Sequence, residues 1–282
     1  MLIKNKWASI IFYLSLSLIL LCLPAKASAA ETKIEGIIYL EADKTYYYDL
    51  NGDGKEDKIY YKSTYQGKTD TSTLELFIND QLCLTRKDNF DNGHILQICD
   101  LDSKDNYLDF YLYVIEPSDG VGNPTFFQYD GKSILNQINF KPNELSKHLS
   151  FYRFSIDTVK GDKTFTILAD TPIYSASIGC YLCYITYKLE NNKITMVASK
   201  TYSFSEYSTE YKYKSKKSFS AYKTAGSKVI QFKVKKGDVV TFDKLHVTNS
   251  GTAYVRIVNK KGKKAWINAN QEELFYELPL WG

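Results

Sequence analysis

Short runs rich in tyrosine, phenylalanine, isoleucine, threonine and valine, most of them closed by a turn signal, recur along most of the chain. They are Lys58 to Ser63, Ser72 to Ile78, Tyr107 to Ile115, Thr125 to Tyr129, Phe151 to Ile156, Lys163 to Leu168, Cys180 to Leu189 and Lys193 to Lys200. Aromatic and β-branched side chains suit a pleated, half-buried surface, and helical periodicity is scarce. Asn79-Asp80, Asp130-Gly131, Gly161-Asp162 and Asn191-Asn192 punctuate the runs. Short strands joined by tight turns imply antiparallel sheets. Asn191-Asn192 predicts a hairpin, because Asn tolerates the positive φ that a two-residue loop needs. Composition agrees, since 24 Tyr and 15 Phe against 2 Met and 6 Pro favour strands over long helices. The expected fold class is all-β.

The first thirty residues differ. Lys4 and Lys6 precede the largely apolar run Ile10 to Leu23, and Ala27-Ser28-Ala29 follows. A basic start, an apolar stretch and a small-x-small site predict a secretory signal peptide over 1–29. The apolar run is shorter than a comfortable membrane span, so no span is expected after cleavage. The protein is expected to be secreted or associated with a bacterial cell wall. Four cysteines remain, Cys83, Cys99, Cys180 and Cys183. An exported chain can pair them, though the plain reading is buried thiols on strands.

Charge divides the remainder. Residues 30–205 carry 18 basic and 25 acidic side chains, net −7, whereas residues 206–282 carry 15 and 7, net +8. This asymmetry suggests two domains, 30–205 and 206–282, the second opening with a Ser-, Tyr- and Lys-rich connection. No nucleic-acid signature follows, and no nucleic-acid partner is expected. Neither is a stable oligomer.

The sharpest local motif is Asp49-Leu-Asn51-Gly-Asp53-Gly-Lys55-Glu-Asp57. Oxygen side chains at loop positions 1, 3, 5 and 9, Gly at 6 and the Lys55 carbonyl at 7 suit a hard cation, here calcium. Position 12 is Tyr60, so the bidentate Glu of an EF-hand is missing, and the flanks read as strands. The alternative is an acidic turn satisfied by its own side chains. A second loop carries Asp100, Asp102, Asp105 and Asp109 with one extra residue, and is a weaker candidate for the same ion. Aligning Asp57 with Asp109 gives a 52-residue offset, near the period of propeller blades.

The first loop with Lys58-Ile59-Tyr60, then Leu74 to Asn79, the second loop and Phe126 to Lys132, resembles the FG-GAP/VCBS-type repeats of secreted bacterial β-propellers over roughly residues 34–202. The resemblance implies about four blades, closed or incomplete, with calcium in the loop between blade strands. Val234 to Val240, Ala253 to Ile257 and Gly262 to Ile267 resemble a bacterial SH3-like domain, a small barrel, with Ala265 replacing the usual Gly before Trp266 and Tyr254 standing where Trp is common. That resemblance implies binding of cell-wall peptide or polysaccharide, with Tyr254 and Trp266 as ligand-binding candidates. Net +8 also favours anionic wall polymers.

No catalytic residues stand out. His94, His148 and His246 lie in no metal-ligand spacing, and neither a GxSxG elbow nor a phosphate loop is present. The expectation is a non-enzymatic binding protein. An exported carbohydrate-active or cell-wall hydrolase using paired carboxylates, with the SH3-like part for targeting, is the alternative.

Overall fold

The computed structural model describes residues 34, 36–89, 93–175 and 177–280; the expected signal peptide lies outside them. The fold is all-β, built from four antiparallel sheets. The first is a plain meander of β2 (Thr45–Tyr48), β3 (Asp57–Gln66), β4 (Thr71–Ile78) and β5 (Gln81–Asp88). The second joins β1 (Ile37–Leu40) to β6 (His94–Cys99), β7 (Asp109–Glu116), β8 (Gly120–Tyr129) and β9 (Ile134–Asn139), in the order β1-β6-β7-β8-β9. The third meander is β10 (Phe154–Val159), β11 (Thr164–Asp170), β12 (Leu182–Glu190) and β13 (Lys193–Met196).

The fourth sheet contains β14 (Thr201–Ser203), β15 (Tyr213–Lys214), β16 (Phe219–Tyr222), β17 (Ile230–Val234), β18 (Val239–Val247), β19 (Ala253–Asn259) and β20 (Lys264–Asn268). Its order is β14-β18-β19-β20-β16-β17, with β15 also on β18. No sheet closes into a barrel, so the small barrel expected at the C-terminal end is instead an open sheet. The reason lies in β18, which takes β14 and β15 along one side and β19 along the other, leaving β17 as the far edge. Three antiparallel sheets precede it, the first and third of them plain meanders.

Alternation explains the stacking. In β4 the side chains of Ser72, Leu74, Leu76 and Ile78 are buried while those between them are half-exposed. Such a strand packs one face and leaves the other wet. The second sheet is covered on both sides. Phe110 and Phe127, stacked 5.0 Å apart, face the first sheet's Ile59, Leu74, Leu76 and Ile78. Their neighbours Tyr111 and Phe126, 4.7 Å apart, join the core that also holds Phe165, Ile185 and Tyr187 of the third sheet and Phe242, Val255 and Ile257 of the fourth. Among the described residues, no buried side chain of the first sheet belongs to this larger core, so the sheets form an open series rather than a ring.

The Tyr- and Lys-rich segment at 211–217, expected as a connection, is packed. Tyr213 is buried, its ring 4.0 Å from Phe242 and its hydroxyl donating to the Ile178 carbonyl at 2.9 Å. The predicted hairpin forms at Asn191-Asn192, with φ of 50° and 57°. All four described cysteines are free thiols, and burial pushes those of Cys99 and Cys183 upward. Among the described residues, no helix is long and apolar enough to cross a membrane.

Candidate functional site

The first acidic loop connects β2 to β3 and folds around its own amides. Asp49 accepts the N–H groups of Asp53 (3.1 Å) and Gly54 (2.8 Å), and Asp53 accepts that of Lys55 (2.9 Å). Asn51 Oδ1 also accepts from Asp53, at 3.0 Å. Asp57 does something else. It is buried, with Oδ2 accepting the Leu50 N–H (3.2 Å) and Oδ1 accepting the Asn79 amide (2.7 Å).

A carboxylate oxygen has more than one acceptor site, so amide bonds leave lone pairs on Asp49 and Asp53 for a cation. Asp49, Asp53, the Asn51 amide oxygen and the Lys55 carbonyl are therefore the groups that would hold calcium, while Asp57 braces the turn from inside. Among the described residues, no three His, Cys, Asp or Glu side chains converge as a metal cage. An ion here would rest on two carboxylates.

The second loop joins β6 to β7 on the same frame. Asp109 Oδ2 accepts the Leu101 N–H at 2.8 Å, and Oδ1 accepts the Gln128 amide at 3.0 Å, matching Asp57 bond for bond. The turns also stack. Leu108 N–H donates to the Leu50 carbonyl (3.0 Å), Ser103 N–H to Gly161 of the third sheet (2.8 Å), and Lys163 Nζ pairs with Asp102 (2.9 Å). Asp102, Asp105 and Asp109 line a cavity of about 100 Å³ there, with Gln128 and Lys163. Burial, reinforced by Asp105 and Asp100, pushes the Asp109 carboxyl up to about 7.

The opposite end of the first two sheets holds a buried network that sequence reasoning missed. Asp88 receives Arg86 Nε (2.8 Å), His94 Nε2 (2.9 Å) and the Asn123 amide (2.7 Å). Arg86 also donates to the Asn123 carbonyl at 2.7 Å. These three donors overcome the cost of burial and hold the Asp88 carboxyl well below the usual range. With Asp88 ionised, His94 Nε2 carries a hydrogen, and Nδ1 shares a hydrogen bond with Ser63 Oγ at 3.2 Å. Serine, histidine and aspartate in this order resemble a hydrolase relay. Here, however, the His94 side chain is fully buried, and Ser63 Oγ also accepts the His94 backbone N–H. The array latches β3, β5, β6 and β8 together.

Beside it opens a cleft of about 500 Å³ between the second sheet and the 141–154 segment. Gln137 and Asn139 present exposed amides, and Tyr152, 48% exposed, supplies an aromatic wall. The Tyr152 hydroxyl donates to the Pro117 carbonyl at 2.7 Å, and its ring lies where a Cβ on Gly120 would be, so only glycine fits beneath it. Of the lining carboxylates, Asp88 is saturated, Glu144 pairs with Lys141 at 2.9 Å, and Glu116 sits against Tyr152.

Tyr254 and Trp266 lie half-exposed on the outer face of the fourth sheet, Tyr254 beside His246 and Trp266 beside Arg256 and Tyr222 in register. Arg256 stands 5.7 Å from the Trp266 ring centre while both its Nε and Nη2 bond Asp243 at 2.8 Å. His246 meets Trp266 edge-on at 5.7 Å and shares a hydrogen bond with Thr201 Oγ1. The two aromatic candidates are thus on one face, but the cleft is elsewhere in the molecule, and neither lines it. No known protein family, curated protein or solved structure matches this chain.

Proposed function

We propose that this is an exported, non-enzymatic binding protein of a cell envelope that takes cell-wall peptide or polysaccharide. The observation that carries the reading is the cleft beside β8 and β9. Exposed amides of Gln137 and Asn139 next to the Tyr152 ring suit a ligand bearing hydroxyl and amide groups along an apolar face, as sugars and peptides do. Its carboxylates are engaged in ion pairs and hydrogen bonds rather than poised as an acid and base. Calcium in the first loop has a structural role in this reading, relieving repulsion between Asp49 and Asp53.

The test is titration of the leaderless chain with soluble cell-wall fragments, followed by product analysis. Binding without turnover is expected, with Tyr152→Ala and Asn139→Ala each weakening it about tenfold. Undiminished binding by both variants removes the cleft from the reading, and cleavage of the fragments replaces it with the hydrolase.

A further inference from the structure

At one end of the fourth sheet, the β17–β18 turn and the β19–β20 turn flank a groove of about 370 Å³. Lys233, Lys235, Lys260, Lys261 and Lys263 line it, all exposed, and Asp238 is the one carboxylate among the lining residues. The floor is apolar: Val234 and Val240 are buried, Phe232 is half-buried, and Val239 is 43% exposed.

Side-chain acceptors on Asp238 and Asn259 hold the two turns. Asp238 Oδ2 accepts the Lys235 N–H at 2.8 Å. Asn259 Oδ1 accepts the N–H groups of Lys261 (2.9 Å) and Lys263 (3.0 Å), and Gly262 adopts φ 73° to close that turn. Among the described residues, none of the five ammonium groups has an ion-pair or hydrogen-bond partner, whereas Lys58, Lys163 and Lys188 elsewhere pair with Asp80, Asp102 and Glu190. Five like charges gathered on the end of β17 and the two turns repel one another, and an opposite charge brought into the groove relieves that repulsion.

We infer that this groove docks a linear anionic polymer of the envelope, a chain of polyol or sugar units joined by phosphodiesters. The inference rests on the exported, wall-directed reading above, and adds a second contact distinct from the cleft. Repeated phosphates suit a row of ammonium groups that act as point charges, and the apolar floor suits the carbon backbone between them. Bases need exposed aromatic platforms, and the groove's one aromatic side chain, Phe232, is half-buried on its floor.

The experiment titrates the leaderless full chain with purified poly(glycerol phosphate), with single-stranded DNA of equal charge, and with phosphatidylglycerol vesicles, each at two salt concentrations. Changing the five groove lysines to Gln is expected to weaken polymer binding about tenfold or more and to flatten its salt dependence. The Arg versions keep the charge and should bind like the parent. Changing Lys68, Lys87, Lys104, Lys132 and Lys147 to Gln, exposed positions on the earlier sheets and turns, should alter binding by about twofold at most.

Equal loss in both Gln variants reduces the effect to net charge and overturns the inference. So does tighter binding to DNA or vesicles than to the polymer, or no binding to the polymer. Retention on intact walls and on walls stripped of phosphodiester polymer keeps the two readings apart. Equal retention on both leaves wall binding standing without this groove, and retention on neither removes wall binding itself.

Discussion

The turns at 49–57 and 100–109 are built on one frame and do different things with it. In each, a trailing aspartate at the start of a strand accepts the N–H of a leucine eight or seven residues earlier. In each, an amide from a later strand or turn, Asn79 or Gln128, fills the other oxygen. The first turn then folds its remaining oxygens onto its own backbone at the surface. The second, one residue longer, is stitched to the third sheet, and its Asp105 and buried Asp109 line a small cavity. A repeated motif therefore keeps its brace while its outer carboxylates change surroundings, and the surroundings decide their chemistry.

The largest separation of the two should appear with pH. In an unfolded chain Asp109 ionises near 4, whereas in the fold it keeps its proton up to about 7. The native state binds the extra proton between those values, so this contribution to stability is full below about pH 4 and is lost as pH rises through 7. For a shift of this size the loss is on the order of 4 kcal/mol. Asp109→Asn should remove that slope from chemical-denaturation curves measured across pH 4 to 8. Asp88 gives the opposite sign, because its carboxyl is depressed: its contribution is present above about pH 4 and is lost in acid. A slope that survives in Asp109→Asn would mean the second turn's burial is not what sets it.

Next comes the shared brace. Asp57→Ala strands the N–H of fully buried Leu50 and removes the anchor of the Asn79 amide, and should cost about 2 to 3 kcal/mol in equilibrium unfolding. A cost under about 1 kcal/mol would show that water replaces the carboxylate, and that the frame is not a brace.

Much of this frame was legible in the sequence. The 52-residue offset aligned Asp57 with Asp109, and the two are equivalent in space. Their direction was not legible. Both were expected among the ion's ligands, yet they point inward, because the amides that claim them lie 22 and 19 residues further along, outside any local pattern. The same limit hid β6: His94–Cys99 is buried on both faces, so it lacks the alternation that marks a half-exposed strand. The network of Asp88, His94 and Ser63 was invisible for a related reason. Its members lie on three strands in two sheets and meet only when the sheets stack.

The contact between the turns separates two glycines that look alike in the motif. Gly52 and Gly54 both have positive φ, 69° and 82°. A Cβ on Gly52 would sit 2.7 Å from the Asn106 Cβ and 2.8 Å from its carbonyl, whereas one on Gly54 would meet nothing within 4 Å. Gly54→Ala should therefore cost only the backbone penalty, about 1 kcal/mol. Gly52→Ala adds a collision with the neighbouring turn and should cost about 2 to 3 kcal/mol. Equal costs in thermal unfolding would mean the turns are not pressed together as the geometry requires.

The last comparison concerns calcium. An ion held by two carboxylates, an amide and a carbonyl binds weakly, and at about ten times its dissociation constant it stabilises by about 1.4 kcal/mol. For a chain of this size that is a rise in melting temperature of a few degrees, about 3 to 5 °C. Adding calcium to chelated protein should produce this rise, and Asp53→Ala should remove most of it. Asp105→Ala sharpens the comparison, because it leaves the rise intact if only the first turn takes an ion and reduces it if both do. A melting curve indifferent to chelator, calcium and Asp53→Ala would mean that the first turn's own amides satisfy its oxygens. The two turns would then differ only in what covers them.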